Sequence, residues 1–173
     1  RELTAAGLAA AHMVGRSRRL RMPLPPAQTW ERALPLLRTP IKRTVWVDDS
    51  RPTGHRPARL AGLSALARHS MLTEPQWQVV AVSNSTWKGA TDAGVRELPE
   101  YVPGASQWQL WTYTPDLGPD IGTVDPLSLT LSLRDSTDDR VQLALGELKA
   151  QFPWRWDSTS SGSDLRHSVT STS

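Results

Sequence analysis

The chain of 173 residues contains no cysteine. That absence excludes disulfide staples, thiolate zinc sites and a thiol nucleophile, and it makes a reducing compartment the default. Long apolar runs are also missing. No stretch approaches the roughly 18–20 apolar residues of a membrane span, and no apolar signal core opens the chain, so the sequence reads as cytoplasmic with no membrane partner. Phenylalanine occurs once and tyrosine twice, against eight tryptophans. Hydrophobic residues make up 38 % and charged residues 21 %, an apolar-poor balance that leaves part of the chain outside any packed core. The length suits one domain, or one domain with part of a second. Because Arg1 opens the chain inside a helix-like segment, the sequence reads as a piece of a longer product with an incomplete first element.

Charge is present but unevenly placed. Residues 1–75 hold thirteen Lys and Arg against five Asp and Glu, whereas residues 76–173 hold seven against twelve. A basic half favours an acidic partner, nucleic acid being the commonest; arginine-rich surface from a high-GC genome is the alternative.

Residues 1–7 read as the last turns of a helix that Gly7 ends in the left-handed conformation. Residues 8–14 then read as a strand, 15–19 as a tight basic turn and 20–24 as a returning strand. This arrangement places Arg16, Ser17, Arg18, Arg19 and Arg21 at or beside a hairpin tip. Such a cluster displaces condensed counterions and binds phosphate without reading sequence, the alternative being an exposed basic turn with no ligand. Pro25 and Pro26 end the hairpin, and a helix over 27–38 follows that Pro35 should kink or shorten.

From Ile41 the pattern changes. Residues 41–47 read as a strand and 48–57 as a loop. Residues 58–71 read as a helix with Leu60, Leu63, Leu66 and Ala67 on one stripe. Residues 77–82 are apolar on both faces, as in a strand covered on both sides. Strand, helix and strand in this order predict a parallel βαβ unit. Residues 107–113 supply a third strand with Trp108 and Leu110 on one side and Trp111 and Tyr113 on the other. Asp125 and Pro126 start a short apolar helix over 127–133. Ser136, Asp138 and Asp139 start another, with Val141, Leu145, Leu148 and Phe152 as its buried face. Residues 157–173 are rich in Ser and Thr, lack the apolar surface that offsets ordering entropy, and are expected to be disordered. No internal repeat is visible.

Enzyme and metal signatures are weak. Gly62-Leu63-Ser64-Ala65-Leu66 begins like a nucleophile elbow but lacks the second glycine and falls inside the expected helix. His12, His55, His69 and His167 show no metal-ligand spacing, and His69 suits a helix end. Asp116, Asp120 and Asp125 lack the alternating oxygen ligands of a calcium loop. No glycine-rich phosphate loop is present, so neither a cofactor nor a metal is implied. Trp46, Trp77, Trp108 and Trp111 on strands suit core packing, with base stacking or a small-molecule pocket as the alternative. Trp154 and Trp156 flank Arg155, where they suit closure over the core or a contact surface.

The run Glu2-Leu3-Thr4-Ala5-Ala6-Gly7-Leu8, followed by Gly15-Arg16-Ser17-Arg18-Arg19-Leu20, resembles bacterial winged-helix regulators where the recognition helix ends, L-x-x-A-G-L, and the wing follows, G-R-x-R-x-L. Further pieces resemble the domain after the winged helix in MarR-like regulators. They are Trp30-Glu31-Arg32-Ala33-Leu34-Pro35-Leu36-Leu37, Leu60-Ala61-Gly62-Leu63-Ser64-Ala65-Leu66-Ala67, Val124-Asp125-Pro126-Leu127-Ser128-Leu129 and Asp139-Arg140-Val141-Gln142-Leu143-Ala144-Leu145. More distantly, the layout is similar to antitoxins of abortive-infection systems. The resemblance implies an α/β (mixed α+β) fold in three parts. Residues 1–40 are a winged-helix remnant with a following helix, 41–156 an α/β effector or partner-binding domain with a βαβ unit and C-terminal helices, and 157–173 a tail. It also implies a DNA-binding transcriptional regulator rather than an enzyme, with Arg16, Ser17, Arg18, Arg19 and Arg21 on the DNA backbone and a second domain for ligand sensing, self-association as a homodimer or partner binding. An antitoxin-type protein with a toxin-like partner is one alternative. A small α/β enzyme is the other, and it requires a cleft with convergent polar groups.

Overall fold

The first two reversals of the chain each turn on a glycine with positive φ. The computed structural model describes residues 2–48, 59–117 and 122–152. Helix α1 (Glu2–Ala5) ends where Gly7 takes a φ of 70° and its N–H donates to the Thr4 carbonyl at 3.1 Å. Only glycine takes that conformation without strain, so the expected helix stop is in place. Strand β1 (Ala10–Val14) then pairs antiparallel with β2 (Ser17–Arg21). The connection is Gly15-Arg16 alone, with Gly15 at a φ of 62°. A two-residue hairpin loop needs positive φ at its first central position to match the strand twist, and Gly15 supplies it. The turn is therefore shorter than the 15–19 expected, and Arg18 and Arg19 lie in the strand. The strand ends at Arg21 rather than residue 24, since Pro23 has no N–H to give a ladder. Helix α2 (Pro26–Ala33) starts on prolines and stops two residues before Pro35, shortened as anticipated.

The chain divides into two compact units. One holds the described residues up to Leu37 together with Gln151 and Phe152, and the other is Arg38–Ala150. The second unit is built on one mixed sheet of β3 (Ile41–Asp48), β4 (Arg59–Leu60), β5 (Val79–Ser83), β6 (Glu97–Leu98) and β7 (Ala105–Trp111), in the order β4-β5-β7-β3-β6. The whole is mixed α and β, as expected.

A βαβ unit is present, though on other strands than the sequence suggested. The parallel pair is β5 and β7, joined through α4 (Asn84–Asp92), while β3 lies antiparallel on the far side of β7. β7 is buried along almost its whole length, which suits the centre of a sheet and separates β3 from β5. Alternation then sorts the side chains. Val45, Val47, Val80, Val82, Trp108 and Leu110 form one layer with Ala90 and Val95, and Trp87 of α4 packs against it. Val79, Ala81, Gln109 and Trp111 face the other way. Trp77 precedes β5 instead of opening it.

Of the helix expected over 58–71, residues 59–71 hold a two-residue strand, a turn and a shorter helix, and residue 58 lies outside the described residues. Leu60 gives its N–H to Gly122 and accepts from Val124, both at 2.9 Å, so its backbone belongs to the sheet. Gly62, at a φ of 50°, turns the chain into α3 (Gly62–Arg68). The buried residues of α3 are Gly62, Ser64, Ala65 and Leu66, while Leu63 is 39 % exposed, so the four-residue stripe does not exist as drawn. Helix α3 packs on β5 and on α5 (Pro126–Leu133), which packs in turn on α6 (Asp139–Ala150). Both C-terminal helices start as expected. Asp125 Oδ1 accepts from the Ser128 N–H at 2.9 Å, and Asp138 Oδ1 accepts from the Arg140 N–H at 2.9 Å. Val141, Leu145 and Leu148 are buried on α6, and Phe152 is buried two residues beyond its end.

Among the described residues no helix is long and apolar enough to cross a membrane. His55, Asp120, Trp154, Trp156, His167, the loop from residue 49 to 57 and the tail 157–173 lie outside the described residues.

Two substitutions test the helical layer. Leu145, 1 % exposed, should cost about 2–5 kcal/mol when changed to Ala, read as a lower denaturation midpoint. Thr130→Val should hold or raise that midpoint, because the Thr130 hydroxyl is buried with no hydrogen-bond partner among the described residues and its loss removes a desolvated polar group.

Candidate nucleic-acid interface

Register decides what the hairpin presents. In an antiparallel pair, residues directly opposite share a face, and the face changes at every residue. Ala10 pairs with Arg21, His12 with Arg19 and Val14 with Ser17, so Arg19 and Arg21 stand on one face with His12 directly across the ladder from Arg19. Ala11 pairs with Leu20, putting Met13 and Leu20 on the opposite face. Arg16 sits in the turn. The structure thus brings Arg16, Ser17, Arg19 and Arg21 to the tip and one face, all of them exposed, and places Arg18 in register with Met13. The cluster read from the sequence is not a single patch.

Every residue of β1 is exposed. Cα atoms two residues apart on a strand are about 7 Å from each other, a spacing at which Arg19 and Arg21 present two separate cationic groups. Among the described residues no carboxylate pairs with Arg16, Arg19 or Arg21. Met13 at 64 % and Leu20 at 58 % exposure put two open apolar side chains on the second face, where Arg18 is in register with Met13. Sequence reading missed this division and the place of His12, and the strand period would have revealed both once the turn length was known.

The enzyme candidates resolve into structural roles. Gly62-Leu63-Ser64 does lie at a strand-to-helix turn, contrary to the helical interior expected, because β4 leads directly into it. The left-handed position is Gly62, which carries no nucleophile. Ser64 is buried, and its Oγ accepts from the Val79 N–H at 2.8 Å, which ties α3 to β5. Asp116 pairs with Arg59, Asp125 caps α5, and His69 ends α3 with Nε2 3.4 Å from Thr123 Oγ1. Among the described residues no group of three or more His, Asp or Glu is placed to hold a metal.

The tryptophans divide as well. Trp108 and Trp111 are fully buried, so neither offers a face to a base. Trp46, Trp77 and Tyr101 are half-buried, with all three ring centroids 5.1 Å apart. That spacing lies at the close end for packed aromatic pairs and leaves no gap between the rings for a ligand.

One further group has a shifted titration. Tyr113 packs edge-on to Trp111, and its Oη lies 2.8 Å from Ser128 Oγ. Burial pushes its phenol up from the ordinary value near 10; the Ser128 hydrogen bond opposes this and the Asp125 charge adds to it. The folded chain therefore holds this proton more tightly than the unfolded chain. Its contribution to stability is full below about pH 10 and is lost as the pH rises through the raised folded value. Denaturant titrations from about pH 8 to about pH 11 should show the wild type losing stability relative to Tyr113→Phe, and parallel curves would count against the assignment.

No family model, curated protein or solved structure matches this chain.

Proposed function

We propose that this chain belongs to a MarR-like winged-helix transcriptional regulator, with the hairpin β1–β2 as a wing on the DNA backbone. One observation carries the reading: Arg19 and Arg21 stand exposed on one face, with Arg16 at the tip and no carboxylate partner among the described residues. Free guanidinium groups on an exposed ribbon neutralise phosphates and release counterions. Phosphate contact fixes position and carries no base identity, so binding by this element alone is expected at about 10⁻⁴–10⁻⁶ M on any duplex at physiological salt.

The second unit is the ligand- or partner-binding part in this reading. It carries a groove of about 350 Å³ lined by Leu63, Met71, Leu72, Pro75 and Val141 beside the Asp138–Arg140 ion pair. The Arg140 guanidinium holds the Asp138 carboxyl below its ordinary range, so the pair stays charged at the groove's edge. A volume of this order suits a small ligand. Met71, 98 % exposed at the same groove, favours a protein partner as a second reading, the antitoxin type.

The DNA reading is tested by salt titration. Changing Arg19 and Arg21 together to Ala should reduce the slope of log K against log salt by about 1.8, at about 0.9 per lost phosphate contact. Arg32→Ala, on α2, should leave the slope as it is. An unchanged slope in the double variant, or equal affinity for anionic lipid vesicles, would overturn the proposal.

A further inference from the structure

The arginine face of the hairpin contains one imidazole beside its guanidinium groups. His12 is exposed on β1, directly across the ladder from Arg19, with Ser17 and Arg21 as its diagonal neighbours. Directly opposite residues have Cβ atoms about 4.5–5.5 Å apart, and diagonal ones about 7–8 Å, so a phosphate lying against Arg19 and Arg21 also lies within reach of the imidazole.

We infer that His12 is a further phosphate-binding residue of this face, engaging the nucleic-acid backbone as an imidazolium. The inference rests on the DNA reading and adds to it a proton taken up on binding. Among the described residues β1 pairs only with β2, whose charged groups on this face are Arg19 and Arg21, and β1 brings no carboxylate of its own. A phosphodiester seated among the three favours the protonated ring, because the anion stabilises its charge. Binding thus draws a proton onto His12, and by linkage a lower pH strengthens binding. The Met13 and Leu20 face has no such group, so the effect belongs to one side of the ribbon.

Histidine ordinarily titrates at about pH 6.5, within a range where phosphodiesters and arginines keep their charge. The experiment measures the salt slope of binding to one duplex at about pH 8 and about pH 5.5 for the full chain and its variants. The wild-type slope should steepen by about 0.9 at the lower pH, one additional phosphate contact. His12→Gln should abolish that steepening while His55, His69 and His167 remain, which separates His12 from the other histidines. His12→Lys, with a fixed charge, should show the steeper slope at both values. Steepening that persists in His12→Gln, or is absent from the wild type, overturns the inference. The DNA reading fails separately, if the Arg19 and Arg21 double variant keeps the wild-type slope at about pH 8, where arginine charge alone acts.

Discussion

Two indole N–H groups buried at the centre of one sheet set the terms for the second unit. Trp108 and Trp111 lie on opposite faces of β7 with no exposure, and a buried donor without a partner costs about 1–3 kcal/mol. Each is satisfied from its own strand. Trp108 Nε1 donates to Ser106 Oγ at 3.0 Å, and Trp111 Nε1 donates to Gln109 Oε1 at 3.2 Å. Because strand side chains repeat every second residue, the acceptor two positions earlier shares the face of the ring it serves. The second bond has further effects. With Oε1 committed to Trp111, the Gln109 amide nitrogen lies where it would be 3.1 Å from any Cβ on Gly62, and Val79 Cγ1 would be 3.0 Å away. Gly62 is thus required both by its positive φ and by what surrounds it, and Ser64, two residues on, reaches the Val79 N–H. Indole, amide, glycine and serine form one chain of requirement from the sheet to α3.

The hairpin obeys the opposite logic. None of the residues of β1 is buried, and an isolated two-stranded ribbon is marginal in water. Where the second unit pairs its buried indole donors, Arg16, Arg19 and Arg21 of the hairpin meet no carboxylate among the described residues. The reading of function and the reading of fold therefore rest on different parts of the chain.

Elements set by local chemistry were legible in advance. Gly7 stops a helix, Pro35 shortens one, Asp125 caps α5 and the spacing of Val141, Leu145 and Leu148 identifies a buried helical face, all within a few neighbouring residues. What was not legible depends on distant partners. Leu60 fits a helical stripe with Leu63 and Leu66 until Gly122 and Val124 claim its backbone groups, and no local pattern announces that competition. Strand order is of the same kind, since apolarity marks β3, β5 and β7 as strands without saying that β7 lies between the others. At the candidate interface the residue types were readable and their grouping was not. Five neighbouring positions look like one patch in a string of letters, and only the turn length assigns them to faces.

That dependence gives the turn at Gly15-Arg16 a role larger than its size. A ribbon whose faces alternate residue by residue has no intermediate setting: lengthening or shortening β1 by one residue between His12 and Gly15 would carry His12 across to the side of Arg18 and Leu20 and place a different residue opposite Arg19. Composition and net charge would hardly change, yet the imidazole would leave the face of Arg19 and Arg21. In this element a single-residue insertion or deletion is a more drastic event than most substitutions, and tolerance to length is the property by which its two-sidedness can be recognised in related chains.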